Sequence, residues 1–335
     1  MPDAVSPDHD FASRYANFLC AAHRSFPAAR TRLPRPWELT EHRSSRKPWR
    51  PVLDAALRQS PRPDGVILEF GVFKGDSIRR LARRKPHSVI HGFDSFRGFP
   101  DDARKDWSQD FSLPSLPVVP ANVTLHAGFF EDTVPPFIAQ WDEAPPPIAL
   151  VHIDCDIFSS THTVLSALGP HLRTDDIIVF DELMNYTEFA TNEFLALYLM
   201  LDRLGLDFEW AVAWGKAYPL VESEGRMLDV AFDGYRAAGY FQNQAIRLCK
   251  RRSGGHFDAS LAPQPLIDRL SRDLASPVLL SALGMAPAAA LKSRGREGGE
   301  RRFDQPPVAD TVKTTMKYFC GRRLRSALDD PGAPA

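Results

Sequence analysis

Four short apolar runs stand out in the middle of the chain: Val66-Ile67-Leu68, Val89-Ile90, Ile148-Ala149-Leu150-Val151 and Ile177-Ile178-Val179-Phe180. Runs this short and continuous read as parallel strands covered on both faces, because a strand with one wet face would alternate polar and apolar residues. Segments of helical period separate them. Thr161 to Leu168 is one; Glu188 to Leu204 is longer, with Phe194, Leu197, Leu201 and Leu204 at spacings of three and four and Gly205 placed to stop it. From Gly65 to about Cys249 the alternation predicts an α/β sheet.

The flanks differ from this middle zone. Residues 1–60 contain RTRLPRPWELTEHRSSRKPWRP, in which Pro34, Pro36, Pro48 and Pro51 oppose a long helix. Residues from about Trp37 to Trp49, proline-broken and rich in Arg with isolated tryptophans, are expected to fold over a cleft as a lid. Beyond Cys249 the chain turns basic and low in complexity (KRRSGG, SRGREGGERR), as expected of a partly disordered extension with one amphipathic helix near Pro265 to Leu274. The expected organisation is 1–60 extension, 61–250 catalytic domain, 251–335 extension.

Composition narrows the class. Of 335 residues, 44% are hydrophobic and 25% charged, enough apolar material for a core. Lys+Arg 41 against Asp+Glu 42 leaves a net charge of -1, so no global attraction to nucleic acid or an anionic membrane is expected. The longest apolar stretch, Ser276 to Leu291, is interrupted by Pro277, Gly284 and Pro287 and is too short to span a bilayer. Cys20, Cys155, Cys249 and Cys320 have no paired spacing, which fits a reducing, cytoplasmic setting. A small-molecule partner is expected, and a homo-oligomer is compatible with the sequence.

Each of the four apolar runs leads into acid: Glu69, Asp94, Asp154 with Asp156, and Asp181 with Glu182. In an open parallel sheet, ligands bind at the carboxyl ends of the strands, so these carboxylates face one crevice. Glu69-Phe70-Gly71-Val72-Phe73-Lys74-Gly75-Asp76-Ser77 reads as strand, turn and helix start, with Gly71 and Gly75 allowing close backbone approach and the amides from about Ser77 facing an anionic group. It is neither a Walker loop nor GxGxxG, which disfavours a pyrophosphate ligand. Asp94, ending the next strand, is placed to accept hydrogen bonds from both hydroxyls of a ribose, or else serves as a loop or cap aspartate.

Strand alternation puts His152, Asp154 and Asp156 on one side, with Asp181 and Glu182 beside them. Carboxylates this close repel unless one is protonated or a cation lies among them, and oxygen ligands suit magnesium or manganese. The alternative is that Asp156 caps the following helix and that Asp181 and Glu182 are solvated loop acids. His91, His126 and His152 read as hydrogen-bonded core residues. Phe129 and Phe130 are placed either to pack on a flat ring or to fill the core.

Five blocks, VILEFGVFKGDSIRRLA, HGFDSFRGFPDD, HAGFFEDTVP, IALVHIDCDIFSSTHTVLSAL and DDIIVFDELMN, resemble in order and spacing a class I S-adenosylmethionine-dependent methyltransferase of the macrocin O-methyltransferase type. The resemblance covers about residues 65 to 185. It implies a Rossmann-like, doubly wound, seven-stranded sheet whose last strand, Asn243 to Cys249, is antiparallel. It implies adenosylmethionine held by Glu69, Gly71, Val72, Lys74, Gly75, Ser77, Asp94, Ser95, Gly128, Phe129 and Asp154. Magnesium would be held by Asp154, Asp181 and Glu182, with Asp156 as base for a sugar or phenolic hydroxyl. Glu182 stands where the family commonly has Asp, and Lys216 to Tyr240 intervenes before the last strand. A second reading takes Asp154-Cys155-Asp156 as the DxD of a nucleotide-sugar glycosyltransferase.

Overall fold

A computed structural model describes residues 7–27, 29–33, 49–100, 111–141, 145–186, 188–221 and 239–275. These fall within one compact unit, Met1–Ala103 with Gln109–Met285. The expected lid from Trp37 lies outside the described residues as far as residue 48, as does the extension from 276 onward.

The apolar runs become strands β2 (Val66–Phe70), β3 (Ile90–Asp94), β5 (Ile148–Ile153) and β6 (Ile177–Phe180). With β1 (Arg30–Thr31), β4 (Val123–Ala127), β7 (Leu206–Trp214) and β8 (Gln244–Lys250) they form one sheet in the order β1-β7-β8-β6-β5-β2-β3-β4. The last strand, β8, is antiparallel to both β6 and β7, and the other pairings are parallel. The expected doubly wound sheet with an antiparallel final strand is therefore present. The eighth strand is β1, two residues of the amino-terminal zone paired with Ala213 and Trp214.

Two cores explain why the runs are apolar on both faces. On one face α2 (Trp49–Gln59) and α3 (Asp76–Arg84) cover Ile67, Ile90, Leu150, Ile177 and Val179. On the other, α4 (Phe130–Ile138), α5 (Phe158–Leu168) and α6 (Glu193–Leu204) cover Leu68, Phe70, Val151, Ile178 and Phe180. Gly205, at φ 64, ends α6 in the left-handed conformation that glycine adopts without strain.

The amino-terminal zone departs from its proline-based reading. Upstream of the prolines, α1 (Pro7–Ser25) buries Ala12, Tyr15, Ala16, Phe18, Leu19 and Ala22, a stripe at helical spacing. Pro51 sits in the first turn of α2, where a missing N–H costs nothing. Tyr15 Oη donates to the Ala190 carbonyl at 2.6 Å and its ring lies 4.9 Å from Tyr198, so α1 is bound to the α6 layer. The expected amphipathic helix near Pro265 is α7 (Gln264–Asp273), which buries Leu266, Ile267 and Leu270 and packs on α1. No helix among the described residues is long and apolar enough to cross a membrane.

His91 and His126 are hydrogen-bonded to each other, their Nδ1 and Nε2 atoms 3.0 Å apart beside Phe93 and Phe137, but both are only half-buried and stand at the margin of the core instead of inside it. Burial, reinforced by His126, lowers His91 to about 4. A depressed imidazole leaves stability whole above the unfolded value near 6.5, and the loss runs from there down to the folded value. We expect His91 to account for about 1 kcal/mol of lost stability between pH 6.5 and 4.5, discounted because the ring is half exposed. Urea midpoints of the protein and of His91→Phe, compared across that range, check this; parallel curves would contradict it.

Candidate functional site

The β2–α3 turn is built around two close contacts. Gly71 has φ 93, and a Cβ there would lie 1.8 Å from the Asp154 carbonyl oxygen, so the turn and the segment after β5 touch backbone to backbone. Asp154 N–H donates to the Phe70 carbonyl at 2.8 Å. The second contact is Asp94: its Oδ2 accepts the N–H groups of Val72 (2.8 Å) and Phe73 (2.7 Å), and its Oδ1 accepts that of Phe96 (2.7 Å). Three of the roughly four acceptor positions of the carboxylate are thus occupied by backbone, leaving room for one further donor. Phe73 (φ 47) and Phe96 (φ 54) are left-handed, a conformation the Asp94 hydrogen bonds help to hold, and Gly75 (φ 76) shares it.

Other expected cofactor residues have distinct placements. Glu69 is fully buried, accepting Ser77 Oγ at 2.9 Å on Oε1 and lying 3.0 Å from His152 Nδ1 through Oε2. Both its oxygens are engaged, so Glu69 and Ser77 brace the turn from behind. Lys74 is exposed, its Nζ 4.9 Å from the centre of the Phe73 ring. Ser95 Oγ turns into its own loop, donating to the Gly98 carbonyl at 2.6 Å. Gly128 donates its N–H to the Asp94 carbonyl at 3.0 Å, which sets the start of α4 beside Asp94. Phe129 is half-buried, with Arg97 5.4 Å above its ring. Phe130 packs edge-on against Phe70 at 6.0 Å, in the core.

At the carboxyl ends of β5 and β6 the acids converge. Burial raises the Asp154 pKa well above the carboxylate range, and Asp181, Asp156, Glu182 and Glu193 push it the same way. The alternation expected for His152, Asp154 and Asp156 holds for the first two and breaks at Asp156, whose φ is 63. The N-cap position of α5 is Ile157, not Asp156, and it carries no side-chain cap. Asp181 accepts the Asn243 side-chain amide on both its backbone carbonyl (2.7 Å) and its Oδ1. Among the described residues, the three groups whose ligand atoms lie within 4.8 Å of one another are His152, Asp154 and Asp181. Glu182 is buried and its charge bears on both Asp154 and Glu193.

Glu193 escaped the sequence reading. It opens α6, is fully buried, and its Oε1 accepts the Cys155 N–H at 3.2 Å, while the Glu182 N–H also faces it. It therefore ties the Asp154–Asp156 segment to the Asp181–Glu182 segment. Burial, then Glu182, raises its pKa well above the usual range. An acid heading a helix that is otherwise Phe-Leu-Ala-Leu-Tyr-Leu-Met-Leu is the signal that was available. We expect Glu193→Gln to keep or raise the melting temperature, since a neutral isostere removes repulsion, and Glu193→Leu to lower it by several degrees by orphaning two N–H groups. Equal melting temperatures for both variants would refute that role.

Residues 68–183 match a family model described as a methyltransferase domain. The chain carries a methyltransferase domain. It is an S-adenosylmethionine-dependent methyltransferase enzyme with a Rossmann-like fold. Among solved structures, the methyltransferase is similar to the calicheamicin methyltransferase CalS11 (23% identity, 73% of this chain and 94% of that one, TM-score 0.40). It is also similar to the O-methyltransferase NovP (17% identity, 60% and 76%, TM-score 0.37). No curated protein matches the sequence.

Proposed function

We propose that the methyltransferase is an O-methyltransferase of the macrocin type, aided by a divalent cation and acting on a small-molecule hydroxyl. The observation that carries this reading is the group of carboxylates, Asp154, Asp156, Asp181 and Glu182, set against the β2–α3 turn through the Gly71–Asp154 contact. Acids crowded closely enough to raise the Asp154 pKa suit a cation, and Asp94 keeps one acceptor position for a ribose hydroxyl, so the residues present fit both groups. Adenosylmethionine supplies an activated methyl group, and a divalent cation acidifies and orients a hydroxyl. Asp94 and the β2–α3 turn hold the cofactor, and Asp154 and Asp181 hold the cation, with Glu182 adding its charge from the next position of the chain. Asp156 takes the acceptor proton on its carboxylate.

Residues 61–250 form the catalytic domain on this reading, and the acceptor is a sugar or phenolic hydroxyl of a specialised metabolite. A cavity of about 470 Å³ at the carboxyl ends of β1 and β7, the same edge of the sheet as the acids, is lined by Arg30, Arg32 and Lys216 beside the stacked pair Trp214 and Phe241. Its cations favour acceptors that also bear a phosphate or carboxylate. Methyl transfer from labelled adenosylmethionine, run on a panel of such glycosides and phenols with and without chelator, tests the reading. Chelator-insensitive transfer would remove the cation, and transfer confined to nitrogen or carbon acceptors would remove the oxygen chemistry. The methyltransferase domain speaks against the glycosyltransferase alternative.

A further inference from the structure

His152 is the group in this site whose state the core-residue reading does not explain. It is 1% exposed, and its Nδ1 is 3.0 Å from Glu69 Oε2, so one side of the ring is partnered as a core histidine should be. Among the described residues its buried Nε2 has no hydrogen-bond partner. A buried ring nitrogen left bare costs free energy unless something else uses its lone pair.

The surroundings indicate what that is. A ring nitrogen of His152 and one carboxylate oxygen each from Asp154 and Asp181 lie within 4.8 Å of one another. Glu69 and His152 are direct neighbours in the β2–β5 register. A carboxylate receiving Nδ1–H fixes the neutral tautomer and leaves the Nε2 lone pair available, which is the arrangement that orients metal-ligating histidines. Glu69 is itself fixed by Ser77 Oγ at 2.9 Å, so the brace is complete.

Alternation of side chains separates the two consecutive acids of β6. Val179 belongs to the core under α2 and α3, and Phe180 to the core under α6. Continuing that period puts Asp181 on the side of His152 and Asp154, and Glu182 on the side of Glu193.

We infer that His152 is a nitrogen ligand of the cation site, completing it with Asp154 and Asp181, and that the site accordingly takes a transition-metal ion such as Co²⁺ or Mn²⁺ in preference to Mg²⁺. Imidazole ligands suit borderline transition metals, whereas an all-oxygen set suits magnesium. This inference rests on the cation reading of the preceding subsection. Glu69 is then a positioning residue that sets the ring through Nδ1.

The test is spectroscopic and needs no acceptor. Chelator-stripped, full-length protein is titrated with Mn²⁺, and the bound ion is examined by electron spin echo envelope modulation. The expected result is an imidazole ¹⁴N modulation that changes to the ¹⁵N pattern when the histidines are ¹⁵N-labelled, and that disappears in His152→Gln. Competition by Mg²⁺ should need at least a tenfold higher concentration. Mn²⁺ bound in an Asp154-dependent way without any histidine nitrogen signal in the unmutated protein would overturn the role of His152 and leave the cation reading intact. A signal that survives in folded His152→Gln would overturn it as well. Absence of Mn²⁺ binding altogether would defeat the cation reading, and this inference with it. Labelling the unmutated protein keeps the test decisive if His152→Gln fails to fold.

Discussion

Asp156→Asn is expected to lower turnover by about 10²- to 10⁴-fold, the usual worth of a positioned base, while leaving adenosylmethionine and cation binding in place. Two structural facts make this substitution informative. Asp156 has φ 63, and asparagine enters the left-handed region at least as readily as aspartate, so the backbone is not disturbed. Asp156 also does not occupy the N-cap position, where asparagine would substitute silently, because α5 starts from Ile157. Alanine would be a poorer probe, since it adds strain at that φ to the loss of the carboxylate. Turnover within a few-fold of normal, with any accepted hydroxyl, would sink the assignment of Asp156 as base. Calorimetric loss of cation binding in the same variant would move Asp156 from base to ligand.

Gly71→Ala is expected to prevent accumulation of folded protein, an effect beyond the 4–5 kcal/mol that marks exceptional single substitutions. The added Cβ would meet the Asp154 carbonyl oxygen at 1.8 Å and its carbonyl carbon at 2.7 Å. Both are backbone atoms of a segment anchored to β2 through the Asp154–Phe70 hydrogen bond, so neither can turn aside. Gly75→Ala supplies the control. Its Cβ would meet first the tip of the Arg79 side chain at 3.0 Å, which can move, leaving chiefly the cost of a left-handed alanine, roughly 1–2 kcal/mol. Circular dichroism and thermal melts of both variants, followed by adenosylmethionine titration of whichever fold, decide the matter. A Gly71→Ala protein that melts with the unmutated one would mean that the β2–α3 turn and the β5 end do not touch.

The elements most legible in the sequence were those whose environment repeats along the chain. β2, β5 and β6 are covered by α2 and α3 on one face and by α4, α5 and α6 on the other, so every residue of each run had to be apolar, and the runs announced themselves. The acid ending each strand was equally visible, because a polar residue stopping such a run marks where the sheet emerges. α1 was harder to see. Its stripe of Ala12, Tyr15, Phe18, Leu19 and Ala22 has the right spacing, but the prolines from Pro34 onward dominated the reading of that zone.

What the linear chain determined by itself, then, is the alternation that makes a doubly wound sheet, the glycines of the β2–α3 turn, and the list of acids at its carboxyl edge. Local periodicity and backbone permissiveness are properties of neighbouring residues, and neighbouring residues are what a sequence displays. Which acids stand together, and in what company, was decided only by strand register and helix packing. Pairing of β2 with β5 brings Glu69 to His152, 83 positions apart, and packing of α6 brings Glu193 to Cys155, 38 positions apart. Pairing of β6 with β8 brings Asn243 to Asp181. Electrostatic energy depends on distance through space, so the same carboxylates that are unremarkable along the chain become a mutually repelling group once the sheet closes.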